Sequence, residues 1–326
     1  MPEAESPEAE SSEAESPEAE SPEAESPEAA WRLVVDPGSA GLRLDRFVAA
    51  RLPRLSRARV QRLDVVDLDD PTRNLKKASI VHAGQRLFVR RPIPDAEAEV
   101  PEPRILFSDV DLLVLDKPAG LATHPTASRV VRTLTHWLAR HAPGAEPAHR
   151  LDVETSGVLL CARHALADRS LKAAFAAHRA EKTYLAVIEG HPPAEVWTDE
   201  TPLGFDADSA VRLKMGRGDL PCATTFRVLA RGPRRSLVEA RPLTGRQHQI
   251  RAHLSLGGHA VVGDKLYGPD ESLFLASLER ALTEAERARL GADRHALHAT
   301  RLALPFRGER CFESPAPPLF AALLRA

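Results

Sequence analysis

From Gly41 the segment GLRLDRFVAARLPRLSRARVQRLD sets apolar residues at helical intervals: Leu44, Phe47, Val48 and Leu52, then Ala58, Val60 and Leu63 beyond a break at Pro53. The pattern predicts two short helices, the second with Ser56 as its N-cap. RLFVR at 86–90 follows as a strand, so residues 31–92 read as a small α/β module and the proline-rich 93–104 as a linker. From Ile105 the texture changes to short apolar runs, DLLVLD, GVLLCA, TYLAVIEG, ATTFRVLA and SLVEARPL, separated by glycine and proline turns. Helical spacing recurs only at 130–141, 164–178 and 246–258. Strands outnumber helices without alternating regularly with them. That predicts an α+β domain over 105–326 with a mixed, mainly antiparallel sheet flanked by helices.

The 326 residues, 43% of them hydrophobic, suffice for two domains that each bury a core. No apolar run approaches the roughly 18 residues of a membrane span, and the N-terminus lacks the basic-then-apolar order of a secretion signal. Cysteines 161, 222 and 311 form no CxxC pair, so neither a disulfide framework nor a thiolate zinc site is expected. These features suit a cytoplasmic protein. The formal net charge of -2 hides an asymmetry, because residues 1–30 are a degenerate SPEAE repeat with eleven Glu and no Lys or Arg. Such a tail is expected to be disordered, either as solubilising filler or as a screen for the rest of the chain. Without it 44 basic residues face 35 acidic ones, a balance that favours a polyanionic partner. In the first module Arg54, Arg57, Arg59, Arg62, Arg73, Lys76 and Lys77 fall on expected exposed positions. Such a face can neutralise phosphates and release their counterions.

The candidate chemistry begins in HRLDVETSGVLLCAR, residues 149–163, where charge abuts an apolar strand. If LDVET is extended, Asp152 and Glu154 share one side, and two carboxylates sharing a site are the machinery of glycoside hydrolysis. Alternatively only one of them matters and Glu154 is a solvated neighbour. Ser156 lacks the GxSxG context of a nucleophile, so its hydroxyl is expected to brace the loop. In RPLTGRQHQIRAHLSLGGH, residues 241–259, His248 and His253 are five apart, about 140° around a helix, with no intervening Glu. No metal site is expected there. Arg246 and Arg251 can reach an anion, either a phosphate or the Asp152 carboxylate, or else they are exposed helix charges. The chain has neither a GxxxxGK phosphate loop nor a dinucleotide fingerprint, and no cofactor is expected.

Together these segments resemble the RluA-type pseudouridine synthase family. The resemblance rests on FSDVDLLVLDKPAGLATHP at 107–125, HRLDVETSG at 149–157, EKTYLAVIEG at 181–190, TGRQHQIRAH at 244–253, GDKLYG at 263–268 and HALHATRLAL at 295–304, in the family's order. The stretch 270–294 has no clear counterpart. The first module resembles the small RNA-binding domain named after ribosomal protein S-four, in LDRFVAARLPRLSRARVQRL and VHAGQRLFV. VVDLDDPTRNLKK departs from that domain's glycine-containing turn and hairpin.

The resemblance implies isomerisation of uridine in RNA without a cofactor, with Asp152 acting on the ribose as nucleophile or in loss of a sugar proton. It implies Arg251 as the partner that keeps Asp152 ionised, Tyr184 as the aromatic floor for a flipped base and Ile250 as an apolar wall. Arg150 becomes the side chain that fills the space the base leaves. The RNA is expected to be large-subunit ribosomal RNA, with tRNA as the alternative and no obligate protein partner. Two competing readings remain: a noncatalytic RNA-binding or ribosome-assembly factor on the same fold, and a glycosidase using Asp152 and Glu154.

Overall fold

Trp31 and Leu33 turn inward while Arg32 and Val34 are exposed, the period of a half-buried strand. This is β1 (Ala30–Val34), in a computed structural model that describes residues 30–52, 60–61, 63–70, 75–90, 101–124 and 133–326. Helix α1 (Leu44–Arg51) buries Leu44, Phe47 and Val48 as its spacing predicts. With β2 (Asp64–Asp67) and β3 (Arg86–Arg90) it closes a small core around Val35, Val81, Leu87 and Val89. The three strands pair antiparallel in the order β1-β3-β2.

The helix at 44 and the strand at 86–90 were legible, but β1 and β2 were not. In β2 the acidic DVVD forms a strand whose Asp67 is buried, accepting hydrogen bonds from the Asp69 N–H (3.0 Å) and the Gln85 amide (2.6 Å). Arg54, Arg57, Arg59, Arg62, Arg73 and Ser56 lie outside the described residues. Lys76 is exposed as expected. Lys77 is not: it is half-buried, with its ammonium donating to the Leu63 carbonyl.

From Arg104 onward the strands are β4 (Arg104–Ser108), β5 (Leu112–Lys117), β6 (Glu146–Pro147), β7 (Ser156–Ala162), β8 (Glu181–Glu189) and β9 (Val196–Asp199). A separate ribbon, β10 (Leu203–Phe205) with β11 (Met215–Arg217), precedes β12 (Thr224–Arg231), β13 (Arg235–Pro242), β14 (Leu297–Pro305) and β15 (Glu309–Glu313). The main sheet runs β4-β5-β7-β14-β8-β13-β12-β9, with β15 on β14 and β6 on β7. Among the strand pairs of the described residues only β14–β7 is parallel, so the sheet is mixed and mainly antiparallel as expected.

Helix α2 (Leu134–His141) falls within the expected 130–141, of which 130–132 lie outside the described residues, and α3 (Ala165–Ala176) falls within the expected 164–178. Thr133 and His164 each cap the following N-terminus by accepting a backbone N–H three residues on. Helix α4 (Gln249–Leu256) is shorter than the expected 246–258. The Gln249 side chain accepts from the Arg246 N–H (3.0 Å) and the Thr244 hydroxyl (2.6 Å), folding 244–248 into a turn. The unmatched stretch forms α5 (Ser272–Glu279) and α6 (Glu284–Leu290), the latter with a Thr283/Glu286 capping box. Helix α7 (Pro318–Arg325) packs on β13 and β8.

Strand β7 is apolar on both faces because both are covered. Val158 and Leu160 pack with Ala167 and Leu171 of α3, while Leu159 and Cys161 pack with Leu134 and Leu138 of α2. Burial of each leucine is worth about 1.5–3 kcal/mol, enough to offset the roughly 1–2 kcal/mol per residue needed to fix the backbone. The strand is thus a rigid base for the turn before it.

At its entry Gly157 has φ +112°, and a Cβ there would lie 2.1 Å from the Ala299 carbonyl oxygen of β14. The parallel crossing therefore requires glycine. Gly157→Ala is expected to lower the unfolding free energy by roughly 2–5 kcal/mol, strain and overpacking together, as read by urea denaturation.

Candidate active site

Asp152 sits in the turn between β6 and β7, and the chain ties that turn from both sides. The Thr155 N–H donates to the Asp152 carbonyl (3.1 Å), so LDVET is a turn and not the extended segment that period-two alternation assumed. Thr123 hydrogen-bonds both the N–H (3.3 Å) and the carbonyl (3.0 Å) of Leu151. The buried Lys117 ammonium donates to the carbonyls of Leu121 (2.8 Å), Pro118 (3.0 Å) and Val153 (3.3 Å). The segments around 117–123 and 149–157 are thus one structural unit.

His149 is part of that bracing. Its Nε2 accepts the Leu160 N–H (3.0 Å), and burial, with Lys182 adding to it, pushes the imidazole down to about 4. The ring is therefore neutral and occupied. Ser156 pairs with His298 Nδ1 (2.9 Å) rather than with backbone, and His298 Nε2 faces the Ser314 carbonyl (3.2 Å).

Arg251, on the first turn of α4 and 7% exposed, joins two carboxylates. Its Nη1 donates to Asp152 Oδ2 (2.7 Å), while Nε and Nη2 grip Asp264 Oδ2 and Oδ1 at 2.6 and 2.9 Å. Asp264 is fully buried and also accepts the N–H groups of Leu266 and Tyr267, both at 3.0 Å. The Tyr267 ring lies against the guanidinium, 5.0 Å from centroid to Cζ. Burial alone would raise the Asp152 carboxyl, but Arg251 outweighs it and holds it at about 2. Asp264 is held well below the usual carboxylate range by the same balance. Among the described residues Asp152 Oδ1 accepts no hydrogen bond, which leaves one oxygen of the ionised carboxylate without a partner.

That cavity, about 540 Å³, is lined by Asp152, Tyr184, His248, Ile250 and Arg251, with Arg150 among its lining residues. Tyr184 of β8 bridges two apolar clusters; burial, with the Asp152 charge, raises its phenol further above its ordinary range, so it stays neutral. Ile250 is buried and Arg150 exposed. The structure thus gathers Asp152, Arg251, Tyr184, Arg150 and Ile250 around one space.

Arg246 is not at the carboxylate. It is exposed and donates to the Pro221 carbonyl (3.3 Å). Nor do the three histidines of that stretch converge: His253 is buried against Thr224 and Thr201, and His259 faces the Glu189 carbonyl. Glu154 is not paired with Asp152, and although partly exposed it is not a free neighbour either. Lys265 donates to it (2.5 Å), and so does the His295 N–H (3.2 Å).

Sequence reasoning gave no role to Asp264, Tyr267 or Lys182. Lys182 lines the cavity and donates to the Thr244 carbonyl (2.7 Å), and burial pulls its ammonium down to about 8. GDKLYG and EKTYLAVIEG carried these residues in plain sight. What was missing was the partner of each, 13 residues away for Asp264 and 62 for Lys182.

A family model described as RNA pseudouridylate synthase matches residues 111–256. The chain is 33% identical over 293 residues to a ribosomal large subunit pseudouridine synthase D of Zymomonas mobilis, covering 80% of this chain and 85% of that protein. To the protein of the same name in Nitrosomonas europaea it is 34% identical over 311 residues, 90% of this chain and 87% of the other. Among solved structures it resembles human RNA Pseudouridylate Synthase Domain Containing 1, with a TM-score of 0.56 and 28% identity over 71% of this chain and 91% of that one.

Asp264→Asn is expected to lower stability at pH 7 by about 3–5 kcal/mol, because it breaks a buried ion pair. The depressed Asp264 carboxyl stabilises above the unfolded-state value of about 3.9, and that contribution fades as pH falls. Urea titrations at pH 7 and pH 3 are therefore expected to show the gap between wild type and variant narrowing in acid.

Proposed function

Because the chain belongs to the RNA pseudouridine synthase family, we propose that Asp152 is the group through which it converts uridine to pseudouridine, and that the uridine lies in large-subunit ribosomal RNA. Membership makes it an isomerase acting on RNA. The reaction rearranges one nucleoside: the C1′–N1 bond breaks, the uracil turns and a C5–C1′ bond forms. The proton leaves C5 and one is gained at N1, so atoms and electrons balance without a redox partner.

The observation that carries the assignment is the Asp152–Arg251 pair at the cavity. Either route through the ribose, attack by the carboxylate or removal of a sugar proton, needs Asp152 ionised, and Arg251 keeps it so at any physiological pH. One carboxylate oxygen is fixed by Arg251, and Oδ1 is the one that meets the sugar. A uridine within an RNA helix must be flipped to arrive there, at a cost of a few kcal/mol. Stacking on Tyr184 returns about 1–3 kcal/mol of that, with Ile250 as the wall beside it. Exposed Arg150 fills the space the base vacates.

The ribosomal target is supported by the names of the relatives, which act on the large ribosomal subunit by name, and tRNA is the competing substrate. A ribosomal substrate places the reaction in the cytoplasm. We assign the first module, with Arg57, Arg59, Arg62 and Lys76, to gripping RNA phosphates as a ribosomal-protein-S-four-like domain; Lys77, whose ammonium is taken by the Leu63 carbonyl, drops out of that face. The glycosidase reading loses its second carboxylate, since Glu154 is spent on Lys265 and His295.

Purified protein incubated with large-subunit ribosomal RNA transcripts is expected to form pseudouridine, whereas tRNA transcripts are not. Asp152→Asn is expected to fold and to bind RNA as wild type does, melting at a lower temperature because the Arg251 ion pair is lost, while forming no product; residual product from pure variant protein would remove Asp152 from the chemistry. Tyr184→Ala is expected to slow turnover by about tenfold or more through lost stacking, and unchanged kinetics would end its role as the floor.

A further inference from the structure

His248 precedes α4 with φ +53°, a left-handed backbone that a residue bearing a Cβ rarely adopts. Its side chain shows what the conformation secures. Nδ1 lies 3.0 Å from the Tyr267 hydroxyl, and the two rings meet edge to face at 84° with centroids 5.6 Å apart. The Tyr267 oxygen already accepts the Met215 N–H at 2.8 Å. Among the described residues His248 Nδ1 is the one acceptor within reach of the hydroxyl proton; with that proton satisfied, Nδ1 accepts and the imidazole proton sits on Nε2.

Burial, reinforced by Arg251, pushes the imidazole down to about 4, so the ring stays neutral beside that guanidinium. His248 lines the cavity beside Asp152, and its Nε2 lies 3.9 Å from Asp152 Oδ2, an oxygen that Arg251 already holds. At that length it is not a hydrogen bond. Among the described residues the Nε2–H thus has no acceptor, although the chain fixes its tautomer, charge and position.

We propose that the Nε2–H of His248 donates a hydrogen bond to a carbonyl oxygen of the uracil ring while that ring is detached from the ribose. The inference rests on the reading of this cavity as the pseudouridine site. When C1′–N1 breaks, its electron pair stays with the uracil and spreads from N1 onto O2 and O4. A preset donor at one of these oxygens strengthens as the charge develops, the arrangement that lowers barriers in other anion-forming reactions. It also restrains the ring as it turns to present C5. His248 transfers no proton in this scheme. Tyr267 is the positioning residue that holds the donor in its tautomer.

The test uses the full-length protein and RNA extracted from cells lacking the gene, with pseudouridine formation and RNA binding measured separately. His248→Phe, which keeps a ring but no donor, is expected to lower kcat by about 10²-fold with RNA affinity unchanged. His248→Gln, whose amide can donate, is expected to recover part of the loss. Tyr267→Phe frees the tautomer and is expected to cost less than His248→Phe. Transcripts of the responsive RNA carrying 2-thiouridine or 4-thiouridine locate the acceptor. Sulfur at the recognised position is expected to slow the wild type much as His248→Phe does, and to slow His248→Phe little further.

Wild-type kcat in His248→Phe, wild-type insensitivity to both analogues, or losses that multiply for both would overturn the proposal. Should His248→Phe not fold, the same comparison between wild type and His248→Gln decides it. Absence of product with wild-type protein on every RNA overturns the function reading and this inference together. Equal turnover by wild type and a folded His248→Phe overturns this inference alone.

Discussion

One guanidinium held between a buried carboxylate, Asp264, and a half-buried one, Asp152, organises this protein's cavity. Arg251 neutralises only one of the two charges it touches, and Asp264 spends its remaining acceptor capacity on two backbone N–H groups. What is left is a single net negative charge, on Asp152, with one oxygen open. In water such a contact would be worth about 1 kcal/mol, but away from water the attraction is several-fold larger and any unpaired member is costly. The arrangement therefore demands all three residues at once. It binds into one object three segments that the chain keeps far apart, 149–157, 244–253 and 263–268.

The rest of the fold serves to bring those segments to one point. β7 supplies rigidity, because both its faces are covered, and Gly157 lets it approach β14 closely enough for a parallel contact. Lys117 and Thr123 pin the turn that carries Asp152 from one side, and Leu160 of the strand pins His149 from the other. α4 presents Ile250 and Arg251 on its first turn, behind a loop that Gln249 folds. Glu154 contributes by holding Lys265 and His295, which ties the Asp152 turn to the segment that carries Asp264. A carboxylate near the site is thus used as a clasp and not as a reagent.

How much of this was legible follows a physical rule. The apolar run of β7 and the spacing of α1 predict their own burial, because the signal is local. HRLDVETSG and TGRQHQIRAH identify Asp152 and Arg251 by resemblance, and the structure places them 2.7 Å apart. Period-two alternation failed for LDVET because a turn bond, Thr155 to Asp152, overrides it. The start of α4 was misplaced because a glutamine side chain folds residues that look helical. β1 and β2 do not stand out because, at five and four residues, their alternation is too short to be distinctive before pairing with β3 completes them. Asp264 and Tyr267 had roles only in relation to Arg251 and His248, and no local pattern encodes a partner.

We propose that the ionised Asp152, held by Arg251, rearranges uridines in ribosomal RNA. The most direct measurement is a pseudouridine map of total cellular RNA from cells lacking the gene, complemented with wild-type protein or with Asp152→Asn at equal expression. The expected result is one or a few large-subunit ribosomal sites at which pseudouridine disappears with the gene, returns with wild type and stays absent with the variant. A map unchanged by loss of the gene, or sites restored by Asp152→Asn, would contradict it.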